Sequence, residues 1–157
     1  MKAKLILLVV VVTLLSSCAT VQYSDPIKVA ITEVIDPSGE VAYGTLTFIR
    51  TALTDAITNS EGFEGYAQIS FFSLDANFSK TGNISSATLT YVQKQQMDYI
   101  LKTQITIMDK SSVLLSAQII NSSTGKIIAS SSVHTFAKLE NLRGACNELA
   151  YKLVGAI

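Results

Sequence analysis

Three consecutive segments that alternate apolar with polar residues constrain the fold of this chain more than any other feature. Residues 98–108 (DYILKTQITIM), 112–121 (SVLLSAQIIN) and 126–136 (KIIASSSVHTF) are joined by short turns around DKS and SSTG. Side chains alternate across a strand, so each segment predicts a strand with one buried face. Tyr99, Leu101, Ile105 and Ile107 share that face. Val113, Leu115, Ala117 and Ile119 form its partner, and Ile127, Ala129 and Val133 continue it. The other face is polar, with Lys102, Gln104 and Thr106, then Ser116 and Gln118, then Ser130, Ser132 and His134. One covered and one wet face is the pattern of an antiparallel sheet.

The flanking segments supply cover for that sheet. Ile27–Val34 alternates and predicts a first strand, and Asp36–Gly39 (DPSG) follows the residue preferences of a type I turn. Leu46, Ile49, Leu53, Ala56 and Ile57 recur at helical spacing, predicting a helix over Tyr43–Thr58 that Asn59 and Gly62 end. Tyr66–Phe72 (YAQISFF) reads as a second strand, and residues 73–83 (SLDANFSKTGN) as loop. Residues 84–96 mix strand-favouring and helix-favouring residues, and a helix is predicted. A closing helix carries Leu139, Leu142, Cys146, Leu149, Ala150 and Leu153 as its stripe. The order is βαβ(α)βββα, an α/β (α+β) fold with a single mixed sheet and helices mainly on one face.

The amino-terminal end has a different character. Lys2 and Lys4 precede the apolar run Leu5–Leu15. Eleven residues of helix reach about 16 Å, roughly half of a ~30 Å hydrocarbon layer. A basic start, a short apolar run and small residues after it are the layout of a secretory signal peptide. Leu15-Ser16-Ser17-Cys18 resembles the bacterial lipoprotein signal, which implies cleavage between Ser17 and Cys18 and lipid attachment to the Cys18 sulfur. Residues 1–17 are then a signal, 18–26 a short tether and 27–157 a single domain. Acyl chains contribute about 0.8 kcal/mol per buried methylene, so two or three anchor stably. Ala19, by analogy with enterobacterial sorting, implies the outer membrane. Removing residues 1–17 takes two of the twelve basic residues and none of the twelve acidic ones, leaving 10 − 12 = −2. That charge, with lysines and arginines scattered singly, argues against a nucleic-acid partner.

The hairpin Leu114–Phe136 carries a residue-level likeness. Its aliphatic strand, Asn121-x-x-Thr124-Gly125 turn and aliphatic–serine return resemble a superfamily of envelope proteins. That group comprises the CsgG-type curli secretion lipoproteins, the LpoB-type activators of penicillin-binding proteins and the amino-terminal domain of TolB. MDYILKTQI and IKVAITEVIDPSGE look like strands of the same superfamily, and the likeness covers most of residues 27–155. It implies a non-catalytic, lipid-anchored domain facing the periplasm. The implied partner is an envelope protein or a second copy of the chain, and the implied role lies in cell-wall synthase regulation or envelope assembly. A CsgG-like part in an oligomeric secretion assembly is the alternative within the family. The chain lacks spare segments for the lipid-facing hairpins of a CsgG-type pore, the propeller of TolB and the long tether of the LpoB type.

Little in the residues points to chemistry. His134 is the sole histidine. It lies two residues from Ser132 on the predicted wet face, which leaves open a hydrolase or small-ligand domain there. No acidic residue alternates onto that face, and no metal-ligand cluster, P-loop or dinucleotide fingerprint is present, so no metal or cofactor is expected. Cys146 lies on a helix stripe and is expected to be a small buried hydrophobe rather than a reactive thiol. A partner surface is expected on the sheet face bearing Lys102, Gln104, Gln118, Ser132 and His134. A second is expected at Phe72 and Phe78, unless those rings fold back to cap the core.

Overall fold

A computed structural model describes residues 25–157. The expected signal peptide, the Ser17–Cys18 cleavage and the lipid on Cys18 lie outside the described residues. The elements are β1 (Ile27–Ile35), α1 (Tyr43–Thr58), β2 (Phe63–Tyr66), α2 (Phe71–Leu74), α3 (Phe78–Thr81), α4 (Ser86–Lys94), β3 (Tyr99–Ile107), β4 (Ser112–Asn121), β5 (Ile127–Phe136) and α5 (Leu139–Val154). They build one mixed five-stranded sheet in the order β2-β1-β3-β4-β5. β1 pairs parallel with β2 and β3, while β3, β4 and β5 form an antiparallel meander.

The alternating residues do what their pattern predicts. Val29, Ile31, Leu101, Ile105, Leu115, Ala117 and Ile119 point to one face. There they pack against Ile49, Leu53 and Ile57 of α1 and Leu142, Cys146, Leu149 and Leu153 of α5. Each such Leu or Ile contributes about 1.5–3 kcal/mol when fully buried. The opposite face carries a smaller core. Ala30, Ile35, Ile100 and Ile120 are covered by Phe71, Phe78 and Val92 of the short helices. The two sixteen-residue helices therefore lie together on one face. The short ones close only part of the other.

The meander's second turn is built by one side chain. Asn121 Oδ1 accepts from the Ser123 and Thr124 amides at 3.0 and 2.9 Å and from the Thr124 hydroxyl at 3.1 Å. Gly125 then takes a φ of +68°, which glycine adopts at little cost. A Cβ there would also stand 3.0 Å from Leu89 Cδ1 of α4.

The second strand lies elsewhere than Tyr66–Phe72. Strand β2 is Phe63–Tyr66, in register with Ile27–Ala30. Gly65 lets it approach α1, because a Cβ there would stand 3.0 Å from the Thr54 carbonyl. Beyond Ala30 the edge of β1 is taken by side chains. Arg50 donates to the Ile31 and Ile69 carbonyls at 2.9 and 2.8 Å, and Glu33 accepts from the Phe71 amide at 3.0 Å. With those groups satisfied the chain leaves the sheet, and Phe71 turns into a helix.

Two further expectations are corrected. The segment expected to be loop, 73–83, contains the end of α2 and the whole of α3. Asp75 pins both turns to α4, accepting from the Asn77 amide at 3.0 Å and the Ser85 amide at 3.1 Å. Ile127 does not continue the buried face. The register shifts between Ile119 and Ile120, so Ile127 pairs with Ile120 on the opposite face and is 56% exposed. One extra residue in a strand is enough to send a side chain across the sheet.

Candidate functional site

Strand register assembles the polar face in rows. Lys102, Gln118 and Ser130 stand side by side on β3, β4 and β5. Gln104, Ser116 and Ser132 form the next row, and Thr106, Leu114 and His134 the third. Five of the residues expected to form a partner surface, Lys102, Gln104, Gln118, Ser132 and His134, are thus neighbours on one face. Cross-strand neighbours on one face stand about 4.5–5.5 Å apart at Cβ, so a partner meets them as one surface.

The hydrogen bonds within this face are few. Ser116 Oγ and Ser132 Oγ are 3.1 Å apart, and Gln104 Nε2 donates weakly to Thr106 Oγ1 at 3.4 Å. Gln118 Oε1 is shielded from solvent without a hydrogen-bond donor. Beside it, a shallow cavity of about 150 Å³ is lined by Gly82, Ile84, Leu89, Lys102, Ile120 and Ile127, among others. Partial burial against this wall pushes the Lys102 ammonium below its ordinary pKa. Helix α3 ends at this wall in Gly82, whose φ is +65°.

This arrangement does not assemble a hydrolytic pair. Ser132 Oγ lies 3.1 Å from Ser116 Oγ, and among the described residues His134 makes no side-chain hydrogen bond to a serine or a carboxylate. A general base needs such contact to take a proton. Among the described residues no group of three His, Cys, Asp or Glu stands close enough to hold a metal ion. None of the described helices is long and apolar enough to cross a membrane. Cys146 is fully buried, its Sγ 3.8 Å from the Ile49 carbonyl. Burial pushes its thiol up to about 12, against the smaller opposing pull of Arg143.

The two expected phenylalanines separate. Phe78 is fully buried, with its ring 5.4 Å from that of Phe71, and belongs to the second core rather than to a surface. Phe72 is 42% exposed. It borders a cleft of about 100 Å³ with Glu33, Val34, Tyr43, Leu46, Thr47 and Arg50. Sequence reasoning missed Arg50 and Glu33, which hold the backbone at Ile69 and Phe71 just before Phe72. An arginine bordering the apolar stripe of that helix, between Leu46 and Leu53, was the available signal.

No protein-family model matches the chain, and no curated protein matches it in sequence. Solved structures do share its fold. TolB from Acinetobacter baumannii aligns at TM-score 0.60 with 14% identity, over 85% of this chain and 28% of TolB. The PelC dodecamer from Paraburkholderia phytofirmans aligns at TM-score 0.57 with 11% identity, over 83% of this chain and 89% of that one. The hypothetical protein CT253 from Chlamydia trachomatis aligns at TM-score 0.53 with 13% identity, over 82% and 93%. At these identities the likeness establishes the architecture: a small mixed sheet, backed by two long helices, of the kind found in TolB and PelC.

Proposed function

We propose that this protein is a non-catalytic lipoprotein of the outer membrane. It is held there by acyl chains on Cys18, and its periplasmic domain binds another envelope protein. Its role is accessory, in cell-wall synthase regulation or envelope assembly. The observation that carries the binding part is the open sheet face itself. Lys102, Gln104, Gln118, Ser132 and His134 stand together on regular strands, and no hydrogen-bonded nucleophile–base pair is among them. A rigid platform of polar side chains with an apolar wall at one side suits recognition of a protein surface. The lipid signal supports the location, since the tether of about eight residues spans at most about 25–30 Å and keeps the domain beside the bilayer.

Intact-mass analysis of the exported protein tests the location, with acyl groups on Cys18 and loss of residues 1–17 as the expected result. Photo-crosslinking residues placed at Gln104 and at Tyr151, which is exposed on the far side of the domain, test the surface. Adducts to an envelope protein from position 104 and none from position 151 are expected. An unacylated thiol, or equal adducts from both positions, overturns the corresponding part of the reading.

A further inference from the structure

The two edges of the sheet are treated differently. Exposed strand edges offer unpaired N–H and C=O groups to other chains, and proteins blunt them with short strands, charges, prolines or bulges. β2 is blunted: it has four residues, one of them Glu64. β5 is ten residues long, and between Ile127 and Phe136 it has no Asp, Glu, Lys, Arg or Pro. Its single irregularity is the bulge at the Ile127–Ile128 end.

The direction of its free groups follows from one hydrogen bond. The Ala137 amide donates to the Ser111 carbonyl at 2.8 Å. Hydrogen-bonding residues alternate along an antiparallel pair, so Thr135, Val133, Ser131 and Ala129 turn their backbone groups to β4. Ser130, Ser132, His134 and Phe136 turn theirs outward. All four have exposed side chains on the open polar face.

We propose that β5 pairs antiparallel with β5 of a second copy of this chain across a two-fold axis at Ser132, joining two sheets into one of ten strands. The geometry favours a second copy because the edge is self-complementary. A two-fold axis normal to the sheet keeps opposed side chains on the same face, so outward-pointing residues meet outward-pointing residues. Centred on Ser132, Ser130 stands opposite the second copy's His134, and Ile128 opposite its Phe136. The exposed apolar residues therefore meet at both ends, and hydroxyls and imidazole meet between them. The three central pairs supply about six backbone hydrogen bonds. No like charges are brought together, because the strand has none. The polar faces of both copies then form one continuous platform. This rests on the protein-binding reading above and names one partner and its surface.

Full-length protein in mild detergent is the material for the test. The expected mass is that of a dimer. Ser132→Cys is expected to give a disulfide-linked dimer on mild oxidation beyond any given by the wild-type chain, which carries the same Cys18 and the same buried Cys146 and is the blank. Ser130→Cys and His134→Cys are expected to crosslink when mixed. Ser130→Cys alone is not, because like positions lie four residues out of register, about 13 Å apart. Ser132→Pro removes an outward N–H without touching the β4 ladder, so the fold persists while self-association weakens about tenfold or more. A monomer at all concentrations with no Ser132→Cys crosslink overturns the proposal. So does a Ser132→Pro variant that stays dimeric, or one that instead loses a different envelope protein. None of these results bears on acylation of Cys18, which the intact mass reads separately.

Discussion

Ser132 and Ser116 face each other across β5 and β4 with their hydroxyl oxygens 3.1 Å apart, and among the described residues His134 hydrogen-bonds to neither. In sequence, Ser132 and His134 alternate onto one face and invite a dyad. In the sheet, the row places Ser132 beside Ser116 and His134 beside Leu114. The expected outcome is that a fluorophosphonate probe leaves the protein's intact mass unchanged. Ser132→Ala is expected to shift stability by less than about 0.5 kcal/mol, as exposed-surface changes do, which a urea titration would measure.

Phe72 and Phe78 are expected to differ sharply in cost. Phe78 fills the second core beside Phe71, whereas Phe72 is partly exposed. Phe78→Ala should destabilise the domain by about 3–5 kcal/mol, through lost burial and the cavity left behind. Phe72→Ala should cost about 1 kcal/mol or less. Urea midpoints for the two variants check this, and similar values would contradict the burial described.

Thr103 presents the opposite case. It is 1% exposed on the face packed by α1 and α5, and its Oγ1 has no hydrogen-bond partner. An unsatisfied buried hydroxyl carries a desolvation penalty that a methyl of similar shape does not. Thr103→Val is therefore expected to raise stability by about 1 kcal/mol, visible as a higher thermal midpoint.

Asp109 ties the β3–β4 turn and gives it an acid limit. Its carboxylate accepts from the Ser112 hydroxyl and from the Ser111 amide and hydroxyl, which holds its pKa at about 2 against an ordinary 3.8. A depressed carboxylate pKa stabilises the fold above the unfolded value, and that contribution is lost as pH falls through the folded one. Asp109→Asn should therefore be less stable than wild type near neutrality. The gap should narrow between about pH 4 and pH 2, as chemical denaturation across that range would record.

Much of the architecture was legible because burial imposes periodicity. The meander, α1 with its Ile49, Leu53 and Ile57 stripe, and α5 with Leu142, Cys146 and Leu149 all bury one side of a regular element. Residues at spacing two or three to four declare such a side without reference to anything distant. The same reasoning assembled Lys102, Gln104, Gln118, Ser132 and His134 on one face, since parity within each strand is a local property.

What the tertiary structure decided is where that periodicity ends. Tyr66–Phe72 alternates well enough for a strand. Arg50 and Glu33, however, satisfy the backbone groups where it would have paired, so the strand stops at Tyr66 and Phe71 folds into the second core. Phe78 went inward and Ile127 outward for related reasons. The first follows a helical turn pinned by Asp75, and the second follows a bulge one residue long. A local pattern records which residues avoid water. Whether an edge is capped, paired or left open as in β5 depends on groups far away in sequence, and those meet only when the chain has folded.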